Sequence, residues 1–512
     1  MSTTAHVLIG AEDVNVRTAL DGGNGPVPHP LRINRSMAMY QRLSTLCGGR
    51  YGVQRTAQTL HYSGTKMQPL LIRTIAAHWT SSCFITIFLC IWTSVCVNVP
   101  APEHGVWAIF RDRWHMFCLG LLGPEFVVLI SVGQYCAAKA SVRSFAETKH
   151  QGWTMKHAFF ADMGGIHLQF PDSKSFPVNG KQLHFLVSNG YIPYPNISTG
   201  DIIDKNKADG LARTICTIQI FWFTLSTISR PIARYAVTTL ELTTLAYIFC
   251  ALATLFFWRC KPMDIRTPII LECPTPLSRI ADRRGRTAAE PYYYTPLDFI
   301  SREEWIATRL WTYYVNLLRQ MHVVHTYERS LPIRHFSSFN FPLPTRPFIF
   351  AILGIAFAYT GIFVAGWNLH YPTRAEQVLW RTCTLGTMII TVIGSLFEVT
   401  IMFVQYRRRH TVSALVHNPD IEIMPRYPTH RPRHPSGEPT NLQRRLQNLR
   451  NNTPEKDPHF DIPIRSLMIT TPICALYCIF RAFILVEDII SLRELPASAF
   501  AAIDWSMYVP HI

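Results

Sequence analysis

Four charged residues fall inside long apolar stretches, where a charge is costly and is therefore a candidate for function. Glu125 follows a proline in one such stretch, and Glu241, Glu398 and Arg481 lie in later ones. Because a guanidinium can neutralise a carboxylate in an apolar bundle, we expect Arg481 to pair with Glu125 or Glu241. We single out Glu125, Glu241 and Arg481 as intramembrane charges that line a path or gate a bundle. Fixing the packing of helices is the alternative role, which we favour for Glu398.

A second group of acidic residues, Asp201, Asp204 and Asp209, precedes the third apolar stretch. Carboxylates clustered beside a membrane helix can hold Mg²⁺ against a diphosphate. The run resembles the aspartate motif of intramembrane aromatic prenyltransferases. It has Gly200 where that motif begins with Asn, and Ala208 where its third Asp stands. A solvated helix end, with neighbouring lysines pairing the aspartates, explains the run at least as well. We therefore assign no metal site, and the catalytic residues and any cofactor remain undetermined.

Seven apolar stretches must position these residues. Each is about as long as a helix needs to cross a hydrocarbon core of about 30 Å. The sequence thus predicts an all-α polytopic membrane protein with about seven transmembrane helices. The stretches are 79–99, 114–138, 214–229, 235–258, 347–367, 382–405 and 467–486.

Positive charge is concentrated in every second gap between the stretches. Because Lys and Arg beside spans favour the cytosolic side, we expect four basic segments in the cytosol: 1–78, 139–213, 259–346 and 406–466. The chain carries a formal net charge of +16, and this distribution suits an anionic cytoplasmic leaflet as partner rather than a nucleic acid. The spans then occupy 79–138, 214–258, 347–405 and 467–486, and the tail 487–512 lies outside.

The basic segments differ in their predicted structure. Segments 1–78 and 406–466, the second rich in Pro and Arg, are predicted to be disordered. Segment 139–213 is predicted to form a small cap of mixed structure. In it, alternating residues at 166–170 indicate a strand, and Asn179-Gly180 indicates a hairpin turn. Residues 299–326 are predicted to form an amphipathic helix with Ser301 and Glu304 as its capping box. It would lie in the headgroup plane or pack on the bundle.

Most of the chain resembles a large group of fungal multi-span membrane proteins. The resemblance implies a shared architecture, and it supports Glu125 and Glu241 as recurring features without supplying a reaction for them. It rests on the residues at 98–100, 124–125, 153–154, 157–165, 204–213, 240–242, 261–264, 491–493, 505 and 510–512.

Two functional hypotheses follow. The first is a membrane protein that works in transport, as a channel or in sensing, with the interior charges lining its path. The second is a membrane enzyme, or an accessory protein, that acts on a lipid-like or specialised-metabolite substrate in a fungal biosynthetic pathway. The sequence has no Walker-type nucleotide loop and no G-x-S-x-G elbow, which argues against an ATP-driven pump and a serine hydrolase.

Overall fold

The computed structural model describes residues 69–148, 150–205, 210–282, 292–301, 306–324, 331–342, 344–415, 441–453 and 460–500. These residues are mostly helical, which confirms the predicted helical class. In chain order the helices are α1 (Pro69–Ser94), α2 (Val106–Leu122), α3 (Pro124–Glu147), α4 (Met155–Asp162), α5 (Gly180–Ser188), α6 (Thr199–Lys205), α7 (Gly210–Ile232), α8 (Thr239–Phe257), α9 (Leu277–Asp282), α10 (Asp298–Ser301), α11 (Ile306–Gln320), α12 (Arg346–Ala365), α13 (Arg374–Leu415), α14 (Asn441–Arg450) and α15 (Ile464–Ile490). The strands are β1 (Ile166–Phe170), β2 (Ser173–Pro177) and β3 (Ile269–Glu272), and short 3₁₀ turns cover Gly366–Asn368, Ser491–Arg493 and Ala497–Phe500.

Some of the predicted segments lie partly or wholly outside the described residues. They are residues 1–68 of the N-terminal segment, 416–440 and 454–459 of the basic linker, and 501–512 of the tail.

Four segments of the described residues are long and apolar enough to cross a membrane: Pro124–Glu147, Thr239–Phe257, Pro347–Asn368 and Arg374–Phe397. They overlap the second, fourth, fifth and sixth predicted spans. The first, third and seventh predicted spans overlap α1, α7 and α15, which do not meet the same length and hydropathy criteria over the described residues. By these criteria the structure supports fewer spans than the seven predicted.

Helices α1, α7, α8, α12, α13 and α15 pack side by side as a bundle. We name its two ends the cap end, where α8 ends and the cap described below is attached, and the distal end, where α8 begins. Helix α1 runs in the same direction as α8, because Cys96, just after α1, contacts Pro262, just after α8. Helix α15 runs in the opposite direction, because Ser491 at its end is hydrogen bonded to Thr239 at the start of α8 (2.8 Å).

The prediction of a single helix over 114–138 is wrong. The chain breaks between α2 and α3 at Gly123, which takes an extended conformation (φ −156°, ψ 92°). Pro124 follows it, and a proline has no backbone N–H with which to continue the hydrogen bonds of α2. The apolar composition of the stretch conceals this break, because hydropathy does not depend on whether the helix is continuous.

Helices α2 and α3 form a hairpin that enters the bundle from the cap end. In the middle of α2, Arg113 contacts Asp264, which follows α8 (3.2 Å). The end of α2 reaches Tyr247, near the middle of the 19-residue helix α8. Helix α3 then returns to the cap end, where Gln134 accepts a hydrogen bond from Trp258 (3.0 Å). The hairpin therefore turns about half-way through the bundle and does not cross it.

The cap contains a small mixed sheet with strand order β2-β1-β3, in which β1 pairs antiparallel with β2 and parallel with β3. The predicted strand at 166–170 is confirmed. The predicted hairpin turn at Asn179-Gly180 is wrong, because Asn179 instead caps α5. Its side chain accepts from the backbone N–H of Gln182 (2.9 Å), and the Gln182 side chain accepts from Asn179 N–H (3.1 Å). An Asn followed three residues later by Gln fits a capping box as well as a turn.

The predicted amphipathic helix ends earlier than expected, at Gln320. Its described part is α11, preceded by the short α10; Glu304 of the predicted capping box lies outside the described residues. The apolar face of α11 packs on the bundle. Leu310 and Tyr313 join a cluster with Leu467 of α15, and the Tyr314 hydroxyl is hydrogen bonded to Thr470 (2.8 Å). Packing on the bundle, one of the two predicted placements, is therefore the one observed.

Candidate functional site

The tip of the α2–α3 hairpin presents free backbone carbonyls inside the bundle. The last carbonyls of a helix have no partner within the helix, and those of α2 are satisfied by side chains of other helices. Tyr247 of α8 donates its hydroxyl hydrogen to Leu121 O, and Arg481 of α15 donates from Nε to Leu122 O (3.1 Å). The break in the helix thus brings α8 and α15 together at one polar point.

Glu125 lies in the first turn of α3, on the other side of the break. A carboxylate is favourable there because the N-terminus of a helix carries a partial positive charge. The hydroxyl of Tyr477, on α15, donates to Glu125 Oε1. Glu125 Oε2 is buried and has no hydrogen bond partner among the described residues.

Arg481 is fully buried, with 0% of its surface exposed. Besides its bond to the hairpin tip, it donates from Nη2 to the Tyr247 hydroxyl (3.2 Å). The guanidinium carbon lies 4.9 Å from the ring centre of Phe363 and 5.4 Å from that of Tyr359, both on α12. Aromatic faces stabilise a cation that has lost its water. Four elements therefore hold this charge: α8, α12, α15 and the hairpin tip.

The predicted pairing of Arg481 with Glu125 has a structural basis, because Arg481 is the leading electrostatic partner of Glu125. Three buried polar atoms at this point lack a well-formed hydrogen bond within the described ranges, although the Tyr359 hydroxyl lies close enough to Glu125 to act as a weak donor. They are Glu125 Oε2, Arg481 Nη1 and the Tyr359 hydroxyl. Buried polar groups are nearly always paired. A carboxylate, a guanidinium and a hydroxyl with unused bonding capacity can together hold a small polar solute, an ion or a proton.

Glu241 is placed away from this point, at the distal end of α8. Its Oε1 lies 3.6 Å from Nε of Arg230 on α7, and its Oε2 accepts from the backbone N–H of Thr238 (2.9 Å) as part of a capping box. Arg230 also donates to the Ala499 carbonyl (2.6 Å). These contacts join the two helices and the C-terminal 3₁₀ turn, so Glu241 has the partners of a packing residue. Glu398 lies in α13.

Sequence reasoning missed Asp488, because this residue lies two positions beyond Val486, the end of the seventh predicted stretch, although α15 includes it. Asp488 lies seven residues after Arg481 on α15, hence on the same helix face, and it interacts electrostatically with Arg481. Its carboxylate lies beside the hydroxyls of Thr243 and Thr239 on α8. The seven-residue spacing of opposite charges in an apolar helix was the available signal.

The predicted acidic cluster does not form a site in the described residues. Asp201 is exposed and accepts from the Ser198 backbone N–H (2.8 Å), and Asp204 is also exposed. Asp209 lies outside the described residues. No group of three or more His, Cys, Asp or Glu side chains that could hold a metal is found in the part of the chain that the structure describes.

A cavity of about 560 Å³ lies at the cap end, between the start of α2, the helix α11 and the segment 331–342. Titratable side chains including His104 and His335 line it, with their ring centres 4.7 Å apart. Burial lowers the pKa of His335 to about 4, and His104 acts in the same direction. At neutral pH the ring of His335 is therefore uncharged.

A row of aromatic rings leads from this cavity to Glu125. Trp311 lines the cavity, and its ring centre lies 5.7 Å from that of Phe126. Phe126 in turn lies 5.6 Å from Tyr477, whose hydroxyl binds Glu125. The side chains of Trp311, Phe126 and Tyr477 thus lie between the cavity and the hairpin tip.

Lys261, a further buried charge, joins the cap to the bundle. Its ammonium group donates to Gln134 Oε1 (2.9 Å), Cys96 O (3.0 Å) and Asn98 Oδ1 (3.1 Å), and burial lowers its pKa. Nearby, Asp162 accepts from the backbone N–H of Gly180 (2.9 Å). Burial raises the pKa of Asp162 to about 7, although this hydrogen bond and Lys261 act against the shift.

Residues 74–276 match a protein family of unknown function, DUF8562. The matched stretch includes most of α1, the hairpin, the cap and α8, and hence Glu125, Tyr247 and Lys261. Arg481, Asp488 and Tyr359 lie beyond it. No curated protein and no solved structure matches the chain.

Proposed function

We propose that the protein is an integral membrane transport protein. In this proposal α1, α7, α8, α12, α13 and α15 cross the bilayer, and the hairpin tip holds a polar solute or ion midway. The observation that carries the proposal is the break at Gly123, which brings two helix ends, Glu125 and Arg481 together near the middle of the bundle. Secondary transporters bind ions and solutes at such broken helices near the bilayer midplane.

The exposed surface supports a membrane location. Trp107, Phe110 and Trp114 follow one another along the outer face of α2, and the side chain of Trp107 is 82% exposed. Rows of this kind are typical of the membrane–water interface. Large apolar side chains such as Phe221 and Phe350 also face outward from the bundle helices. The resemblance to fungal multi-span proteins supports the same location.

The proposed orientation keeps the cap in the cytosol, because the basic segments 139–213, 259–346 and 406–466 all connect helices at the cap end. It differs from the sequence prediction at the start of α1. Six crossing helices and a hairpin place Pro69 on the side opposite the cap, whereas seven spans place it in the cytosol.

The transport proposal predicts that Glu125→Gln strongly slows uptake. Glutamine keeps the hydrogen bond from Tyr477 but removes the charge that faces Arg481. We expect the rate of solute uptake in cells expressing the variant to fall at least about tenfold, the equivalent of about 1.4 kcal/mol. The measurement is a comparison of solute uptake and of untargeted metabolite content with those of cells expressing the unchanged protein. Glu147→Gln, at the exposed end of the same helix, is the control.

Uptake that is insensitive to Glu125→Gln would overturn the transport proposal, provided that abundance and membrane insertion are equal. Loss of a metabolite without any change in uptake would instead favour the second candidate, a membrane enzyme or an accessory protein acting on a lipid-like substrate. The observation that favours this alternative is the cap-end cavity, whose size suits a small organic molecule and whose aromatic row ends at Glu125.

A further inference from the structure

A second polar cluster lies between α8 and α15, on the distal side of Arg481. It consists of Asp488 and the hydroxyl residues Thr239, Thr243 and Ser491. All four side chains are at least 98% buried. Hydroxyl-bearing side chains are common in apolar helices, but a buried carboxylate among them needs a partner of opposite charge.

The oxygen atoms of this cluster have unused bonding capacity. Both carboxylate oxygens of Asp488 and the hydroxyl of Thr243 lack a well-formed hydrogen bond in the described part of the chain, although the hydroxyls of Thr243 and Thr239 lie close enough to Asp488 to act as weak donors. Thr239 and Ser491 share one hydrogen bond (2.8 Å), which leaves each hydroxyl oxygen with a lone pair. The cluster therefore contains five side-chain oxygen atoms.

The charges of this part of the core do not balance. Arg481 interacts with two buried carboxylates, Glu125 and Asp488, and it can neutralise only one. Glu241 does not change the sum, because it has Arg230 as its own partner. At least one negative charge is left over. Glu487, which is also buried, adds a further carboxylate beside Arg493, and Arg493 already pairs with Glu376. Burying an uncompensated charge costs several kcal/mol, so the carboxylate of Asp488 must either bind a cation or take up a proton.

We propose that Asp488, Thr239, Thr243 and Ser491 bind a dehydrated monovalent cation of the size of Na⁺. Carboxylate and hydroxyl oxygens are ligands for hard cations. A monovalent ion balances the negative charge that Arg481 leaves on Asp488. The inference goes beyond the proposed transport function, because binding can occur whether or not a solute is moved.

The test is the thermal stability of the purified full-length protein in detergent. A ligand that binds only the folded state raises Tm in a saturable manner. We expect Tm to rise with NaCl relative to choline chloride at the same ionic strength. The Asp488→Asn variant should lose this difference, and Glu494→Gln, which changes an exposed acid on the same side, should keep it.

Thr243→Val serves if the Asp488 variant does not fold, because it removes one oxygen and preserves shape. It should raise the Na⁺ concentration at half-effect on the order of tenfold. Equal Tm values in NaCl and choline chloride would overturn the proposal. So would a Na⁺ effect that both variants retain. A stability that depends on Asp488 and pH but not on Na⁺ would identify the bound cation as a proton, and would also overturn it.

Discussion

At the scale of single residues, the chain buries charges in small groups and leaves some of their atoms unpaired. Glu125 and Arg481 were recognisable from the sequence because a charge in an apolar stretch is conspicuous, and the structure brings them together. That Glu241 pairs with Arg230 was not predictable, since the pairing depends on how α7 and α8 pack. Asp488 lay beyond the assumed end of its helix. Sequence therefore identified the charged residues, but tertiary packing selected their partners.

Asp162 gives a prediction about pH. Its pKa is about 7 in the folded protein and about 3.8 when unfolded, so above pH 4 the unfolded state ionises first and stability is lost up to about pH 7. Asp162→Asn removes this loss and keeps an acceptor for Gly180. We expect the variant to gain at most roughly 4 kcal/mol at pH 8 and less at pH 5. The measurement is Tm of both proteins across this range, and a gain that is larger at pH 5 would contradict it.

At the scale of elements, hydropathy located the apolar segments, but it did not show where a helix is interrupted or what it packs against. The stretch 114–138 is apolar throughout, and only Gly123 and Pro124 indicate that two helices meet there. The capping box that begins at Asn179 had the composition of a turn. The face of α11 that packs on the bundle was readable from its spacing, but its partner on α15 was not, because contacts distant in sequence leave no periodic pattern.

The hairpin tip gives a prediction about Gly123, which has no room for a side chain. An added Cβ would lie 2.7 Å from the Phe126 ring and 3.1 Å from the Tyr477 hydroxyl, so these groups would have to move. We expect Gly123→Ala to destabilise the protein by about 1–3 kcal/mol and to lower Tm in detergent. Gly105→Ala, at the other end of α2, is the matched control because no atom lies within 4 Å of its added Cβ. Equal Tm values for the two variants would show that the tip can accommodate the change.

At the scale of the whole molecule, the difference between six crossings with a hairpin and seven spans decides which side each segment occupies. The distribution of Lys and Arg predicts that the three internal basic segments share one side of the membrane, and in the structure the helices that they connect end at the same end of the bundle. It could not reveal the hairpin, because a helix pair that turns back adds apolar length without changing sides. Counting the hairpin as a crossing helix therefore changes the predicted side of every segment that precedes it in the chain.

Protease protection of sealed vesicles tests this topology. A tag placed directly before Pro69 should share the accessibility of a tag at His370, at the distal end, and differ from a tag at Gly190 in the cap. The reason is that α1 begins, and α12 ends, at the distal end of the bundle. The tags at His370 and Gly190 control for each other, since both topologies place them on opposite sides. A tag before Pro69 that behaves like the one at Gly190 would restore the seven-span arrangement.

The length of α13 has a mechanical consequence. With 42 residues against the 20 of its neighbour α12, it is about 63 Å long and extends roughly 30 Å further than α12. The part of α13 near its N-terminal end packs in the bundle, where Gly386 lies against Phe480 of α15. A tilt of about 10° about Gly386 would move the end of α13 at Leu415, about 44 Å away, by about 8 Å, so a slight rearrangement around α15 would become a large displacement.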